Sequence, residues 1–283
     1  SMTIMRVLIV TLVSLVVGAC ATAPQPISAT EQKAASPTPT GATDVDTGIR
    51  WTEFSAEYQA VSAQVYGMAR RDLPRLLADS DWTALPGQRA AADKPPAIIL
   101  DVDETVVSNA EYQETLVTVP YSRFGHFDWM RNNKAIPVRG ARDLVYAARA
   151  AGVEVFFLTN RACEPFDDAD GDCPYEEVTI EDLREAGIDT DPKHVLMAWE
   201  RPGWNKEKLN RREHIAKTHR VIMLFGDDYG DFVHCTRNKP LAPCTEGATR
   251  ASRHAALDTY AEYWGNGWYI LPNPMHGSWT SVR

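Results

Sequence analysis

The sequence predicts an α/β protein built on a parallel sheet, with a smaller helical domain beside it. Three observations carry that expectation. Residues 97–100, AIIL, form an unbroken apolar run between Pro96 and Asp101, as a strand buried on both faces requires. Comparable runs recur at 153–158, 194–197 and 221–225, with stretches of helical period between them. The first, second and fourth runs stop at polar clusters, which suits strands joined by right-handed crossovers with their carboxyl ends on one rim.

The chain opens with Arg6 and the apolar stretch VLIVTLVSLVV, which is short for a membrane span and has the proportions of a signal peptide. Ser1 before Met2 is set aside as an expression remnant. Residues 15–20, LVVGAC, resemble the bacterial lipobox, so residues 1–19 are read as a lipoprotein signal peptide and Cys20 as the lipidated residue. The competing reading is an ordinary secretory signal that leaves a soluble periplasmic protein. Ala21 rather than Asp after the cysteine is consistent with the outer membrane, with the folded domain in an oxidising extracytoplasmic compartment. Residues 20–48 are rich in Pro, Thr, Ser and Ala and bury too little apolar surface to fold, so they are read as a flexible linker. Residues 49–283 then form one α/β domain.

Within that domain, Phe54, Tyr58, Val61, Val65, Met68 and Ala69 recur at helical spacing over 51–79 and predict one or two helices, with Pro74 near a break. Residues 108–133 are aromatic and turn-rich. Pro137 opens a helix over 138–151 that ends at Gly152. The apolar run at 153–158 is the second strand, and 180–186 lies in a helix closed by Gly187. Residues 194–197 give a short third strand, 206–217 a basic helix, and 221–225 the fourth strand, ending at Gly226-Asp227-Asp228.

The net charge of −9 excludes general affinity for nucleic acid. Apart from Cys20, the cysteines are Cys163, Cys173, Cys235 and Cys244, two close pairs suited to an exported protein. Three connectivities are open; proximity favours Cys163–Cys173 and Cys235–Cys244, each closing a loop of about ten residues worth roughly 2.5–3 kcal/mol. Zinc is the alternative for four cysteines, but no CxxC spacing occurs. Asp168, Asp170, Gly171 and Glu177 fit a calcium loop only in part, because Phe166 stands at the first ligand position, so a solvated acidic loop is expected.

The chemistry-bearing residues gather at strand ends. Asp101 and Asp103 follow the first strand, Thr159-Asn160-Arg161 the second, and Asp227, Asp228 and Asp231 the fourth, with Lys206 and Lys208 in between. One carboxylate can attack phosphorus while its neighbour moves a proton. Clustered carboxylates can hold magnesium, a hydroxyl and backbone N–H groups can hold phosphoryl oxygens, and a lysine can neutralise both.

DVDET, FLTNR, a lysine and GDDYGDF, in that order, resemble the four motifs of the haloacid dehalogenase superfamily, and more closely those of class C acid phosphatases. The similarity extends to the lipobox and to the ending LPNPM at 271–275. It implies a Rossmann-like parallel-sheet core of haloacid dehalogenase type, and a magnesium-dependent phosphomonoesterase acting at mildly acidic pH, with nucleoside 5′-monophosphates among its substrates. By this resemblance Asp101 is the nucleophile that forms an aspartyl-phosphate, and Asp103 is the proton donor and acceptor, for which neighbouring carboxylates should raise the pKa. Magnesium is implied at Asp101, the Asp103 backbone carbonyl and Asp227, with Asp231 supporting the ion or the lysine from behind. Thr159 and Asn160 are expected at the phosphoryl oxygens. Lys208 fits the family's K-x-x-R pattern as Lys208-Leu209-Asn210-Arg211, and Lys206 is its rival. Asp228 stands where the family pattern has asparagine, and either adds charge near the ion or faces solvent.

The relatives grip a nucleobase between aromatic side chains, for which Tyr121 and Phe124 are candidates on one side and His276, in place of a tyrosine, on the other. Imidazole stacks less extensively than phenol and titrates near neutrality, so stacking is expected to be weaker or pH-dependent. The competing class of function is a non-catalytic outer-membrane binding lipoprotein for nucleotide or haem; phosphotransfer to an alcohol is a third. Expected partners are small phosphomonoesters and, through the lipid anchor, a membrane; a homodimer stays open.

Overall fold

The computed structural model describes residues 44–282. The signal peptide, Cys20 and most of the linker lie outside the described residues.

The chain begins with two helices, α1 (Asp44–Phe54) and α2 (Ala56–Ala78). They are separated at Ser55, whose side chain accepts from Tyr58 N and caps α2. The expected break at Pro74 does not occur: α2 runs through it. An interior proline costs a helix about 3 kcal/mol, and the burial of Leu73 and Leu76 on either side of it offsets that cost.

Strand β1 (Pro96–Leu100) follows, and then an inserted module. Its base is a two-residue ladder of β2 (Val107–Ser108) with β3 (Ile136–Pro137), antiparallel, and its body is α3 (Ala110–Thr115) and α4 (Arg123–Asn132). The aromatic, turn-rich reading of 108–133 therefore resolves into two short helices. Helix α5 (Ala141–Ala150) starts after Gly140, three residues later than expected. Strand β4 (Glu154–Ala162), helix α6 (Pro174–Glu185), strand β5 (Val195–Ala198), helix α7 (Leu209–Ala216) and strand β6 (Arg220–Gly226) complete the expected alternation. Gly152 and Gly187, both at positive φ, close α5 and α6. Helix α8 (Arg250–Thr259) and strand β7 (Trp268–Ile270) were not legible as periodic runs.

The sheet is parallel throughout, in the order β5-β4-β1-β6-β7. Alternate residues feed two cores. Ile98, Leu100, Phe157 and Phe225 face α2, α5 and α6, packing with Tyr66, Leu73, Leu144 and Leu183. Ile99, Leu158, Leu224 and Trp268 face the other side, with Ile215 and Ala256. Burial on both faces explains why β1 and β6 read as continuous apolar runs. Because β1 is central, its carboxyl end meets those of β4 and β6. Cystines join Cys163 to Cys173 and Cys235 to Cys244. Both fit an oxidising compartment. No described helix is long and apolar enough to cross a membrane.

Candidate active site

The strand ends open into a cavity of about 370 Å3 lined by Asp101, Asp103, Asn160, Lys208, Asp227 and Asp231, among others. Backbone pairing continues one residue past β1, where Asp101 N donates to Phe225 O, so Asp101 emerges against the end of β6. Lys208 Nζ bridges two carboxylates, 2.7 Å from Asp101 Oδ1 and 2.5 Å from Asp231 Oδ1. Lys208 is buried at the carboxylates, whereas Lys206 is only partly buried and lines the cavity.

Carboxylate oxygens of Asp101, Asp227 and Asp231 lie within 4.8 Å of one another. Asp231, expected to support the ion or the lysine, belongs to this cluster and also holds Lys208. Burial raises the Asp101 carboxyl to about 7; Lys208 opposes the shift, and Asp231 and Asp103 add to it. Asp227 stands well above the carboxylate range because it is buried and then because Asp101 and Asp231 repel its charge. Among the described residues, Lys208 is the only ammonium placed among the three carboxylates. Such a surplus of hard, negatively charged oxygen donors fits a divalent cation. Asp227 is further fixed by Asn273 Nδ2 at 2.7 Å and Thr105 Oγ1 at 3.3 Å.

Asp103 departs from expectation. Its carboxylate turns away from the acidic cluster to Arg161, whose Nη2 lies 2.8 Å from Oδ1, and to Asn109 Nδ2 at 2.9 Å. Burial alone would raise its pKa, but the Arg161 guanidinium overrides it and holds the carboxyl below the usual carboxylate range. The predicted upward shift is thus reversed: the nearest strong charge is a cation, not another carboxylate. The Asp103 side chain is thereby held outside the acidic cluster. Arg161 is itself fully buried and shared with Asp182 at 2.6 Å.

Thr159 lies behind the cavity wall. It is fully buried and absent from the cavity wall, and its hydroxyl accepts from Arg161 N at 3.1 Å. It shapes the strand end from within, while Asn160 and Arg161 line the cavity. Arg211, buried, donates to Thr159 O and to Asn160 Oδ1, the latter at 2.6 Å, and so clamps that strand end to α7. Asp228 stands outside the acidic cluster, half-buried on the cavity wall. It accepts from Gly230 N, Ser278 N and Ser278 Oγ and ties the C-terminal segment to the β6 loop.

Of the aromatic candidates, Tyr121 lines the cavity and Phe124 does not, because it packs against Phe127 and Phe166. Tyr112, missed from the sequence, lines the wall instead. His276 lines it too, but as an ion-pair partner: Nε2 lies 2.7 Å from Glu104 Oε2. Burial pushes the imidazolium down, and Glu104 more than offsets it, so the His276 pKa lies above the ordinary value. Glu104 is fully buried at φ +57, a strained position for a non-glycine residue immediately after the motif-one aspartates.

The family model of the HAD superfamily, subfamily IIIB (acid phosphatase), matches residues 11–279. The chain belongs to this family. Among solved structures it is similar to the class C acid phosphatase from Bacillus anthracis, at 26% identity and a TM-score of 0.66, over 83% of this chain and 86% of that one. The same Bacillus anthracis enzyme with tungstate bound matches at the same identity and coverage. This subfamily IIIB chain is therefore a phosphomonoesterase, and its substrates are small-molecule phosphoesters. The acidic cluster agrees with the divalent metal that phosphatases of the superfamily generally use.

Proposed function

We propose that the cavity hydrolyses phosphomonoesters, nucleoside 5′-monophosphates among them, through an aspartyl-phosphate at Asp101, with magnesium held by Asp101, Asp227 and the Asp103 carbonyl. The observation that carries this reading is Lys208, seated between Asp101 and Asp231 beside Asp227. An ion pair at that depth needs a reason, because desolvation alone makes it a poor stabiliser. Lys208 favours the ionised form of Asp101 and neutralises charge as an anionic phosphate approaches. A magnesium ion bound there would supply further neutralisation of the two anions that must meet.

In the first step an Asp101 oxygen attacks phosphorus in line, and the bond to the leaving oxygen breaks. Asp103 gives that oxygen a proton. At rest Arg161 keeps Asp103 ionised, but an arriving phosphate dianion raises its pKa by repulsion, so the proton is taken up as substrate binds. In the second step water attacks phosphorus, its proton passes to Asp103, and the bond to Asp101 breaks to release phosphate. Asn160 and the strand end held by Arg211 position the phosphoryl oxygens. Tyr112 and Tyr121 on the wall offer apolar faces to a base.

The LVVGAC segment supports attachment to the outer membrane through Cys20, with residues 20–48 as tether. The reading is tested with a chromogenic phosphate ester at mildly acidic pH. Turnover is expected to require magnesium and to fall about 10^3-fold or more in Asp101→Asn. Activity retained in that variant removes Asp101 as the nucleophile.

A further inference from the structure

One wall of the cavity carries more positive charge than the reaction at Asp101 uses. Among its cations, Arg161 is spent on Asp103 and Asp182, and Lys208 on Asp101 and Asp231. Arg123, Lys206 and Arg237 also line the cavity, and their charges are not consumed by carboxylates within it. Arg123 reaches Glu164 at 2.8 Å and Arg237 reaches Glu207 at 3.7 Å; neither glutamate lines the cavity. No ion pair or hydrogen bond engages Lys206 Nζ among the described residues, although the side chain is partly buried. Its ammonium is pushed below the ordinary lysine value by burial, and then by Arg237 and Arg123, so the three charges act on one another.

A second observation concerns what holds them there. Trp199 follows β5 directly, on the same rim as the reacting groups, and sits at φ +63. A bulky residue in the left-handed region is strained, and such strain persists where the surroundings over-determine it. Its N–H donates to Trp204 O at 2.8 Å, which fixes the turn. The Trp199 indole then serves as a shared platform, with Arg123 Cζ 5.0 Å and Lys206 Nζ 6.0 Å from the ring. Gathering like charges costs energy that the Glu164 and Glu207 pairs and the Trp199 ring offset in part, and an anionic ligand offsets it further.

We propose that Arg123, Lys206 and Arg237 form a subsite for a second phosphate group, so that the preferred substrates carry one phosphate at Asp101 and another on this wall. The inference rests on the reading of Asp101 as the reacting group. Two guanidinium forks and one ammonium suit a phosphate, which accepts from several donors at once. A cavity of about 370 Å3 has room for more than the scissile group. Nucleoside 3′,5′-bisphosphates and hexose bisphosphates share this chemistry.

The test compares initial rates of phosphate release as kcat/KM for two matched pairs: a nucleoside 5′-monophosphate with its 3′,5′-bisphosphate, and a hexose 6-phosphate with its 1,6-bisphosphate. Two ester groups give about a twofold ratio by counting alone; one charge-assisted hydrogen bond raises it to about tenfold or more in at least one pair. The ratio is insensitive to any general loss of catalysis. It is expected to fall toward two in Lys206→Gln, to be largely kept in Lys206→Arg, and to shrink with added salt. Wild-type turnover with a ratio near two in both pairs overturns the subsite and leaves the Asp101 reading standing. A high ratio that Lys206→Gln and Arg237→Gln both leave unchanged also overturns it. No turnover of any ester by the wild-type chain overturns both readings.

Discussion

Arg161 shows how one side chain sets the ionisation of a reacting group. Its Nε and Nη2 face Asp103 at the cavity wall, while Nη1 faces Asp182 and Thr179, which are buried with it. Removing one member of a buried ion pair strands the other, which typically costs about 3–5 kcal/mol. Arg161→Gln is therefore expected to lose stability of that order at pH 7, read by denaturant unfolding. The Asp103 pKa is lower in the folded chain than in the unfolded one. Its contribution is thus present above the ordinary carboxylate value, near pH 4, and is lost as pH falls below it. The gap between variant and wild type should narrow on acidification from pH 7 to below 4; a constant gap would mean Arg161 acts through packing alone. That Asp101 and Asp103 matter was legible from their place after an apolar run. Their ionisation was not, because it depends on a guanidinium 58 positions away in sequence turning toward one carboxylate rather than the other.

At the scale of elements, α7 works as a clamp across two strand ends. Lys208, its N-terminal flanking residue, meets Asp101 and Asp231; Arg211 holds the end of β4; Arg212 donates to Gly230 O and Asp231 O. The K-x-x-R spacing puts Lys208 and Arg211 about one turn apart, so a single short helix serves both strand ends. Its partner in this arrangement is the β6 end, where Gly226 leaves space for a neighbour: a Cβ there would stand 2.1 Å from Asp231 Oδ2. Since Asp231 also accepts from Asp228 N, it has no room to retreat. Gly226→Ala is expected to displace Asp231, release Lys208 and lower kcat by about 10^2-fold or more, with a smaller change in KM. A variant with normal kcat would show that Asp231 does not position the lysine. Strands β1, β4 and β6 were readable because burial on both faces makes them continuous apolar runs. Strand β7 was not: three residues flanked by further aromatics and turns carry no period, and its pairing with β6 is a tertiary event. Pro74 misled for the opposite reason, a strong local signal that the buried face of α2 overrides.

At the scale of the whole molecule, the segment after β7 closes over the site and α1 packs against that segment. After β7, Asn273 reaches Asp227, His276 reaches Glu104, and Ser278 reaches Asp228, so one segment ties the motif-one turn to the β6 loop. Ile49 of α1, Ala110 of the inserted module and Met275 share a small apolar cluster, which seats the segment from outside. The tie between His276 and Glu104 spans 172 positions, and no local pattern announces it. It titrates. Because the folded-state pKa of His276 is raised above its ordinary value of about 6.5, the pair contributes fully below that pH. The contribution is lost as pH climbs through the raised value. Hydrogen exchange of amides over 273–281, corrected for intrinsic rates, should therefore speed up between pH 5.5 and 8.5 relative to amides of β1 and β6. In His276→Gln the same amides should exchange faster at pH 5.5 and show little further change at 8.5. If wild type and variant respond alike to pH, the closure is held by Asn273 and Ser278 alone. If the response is confined to the wild type, the segment over the site is secured most firmly in the mildly acidic range in which an acid phosphatase works.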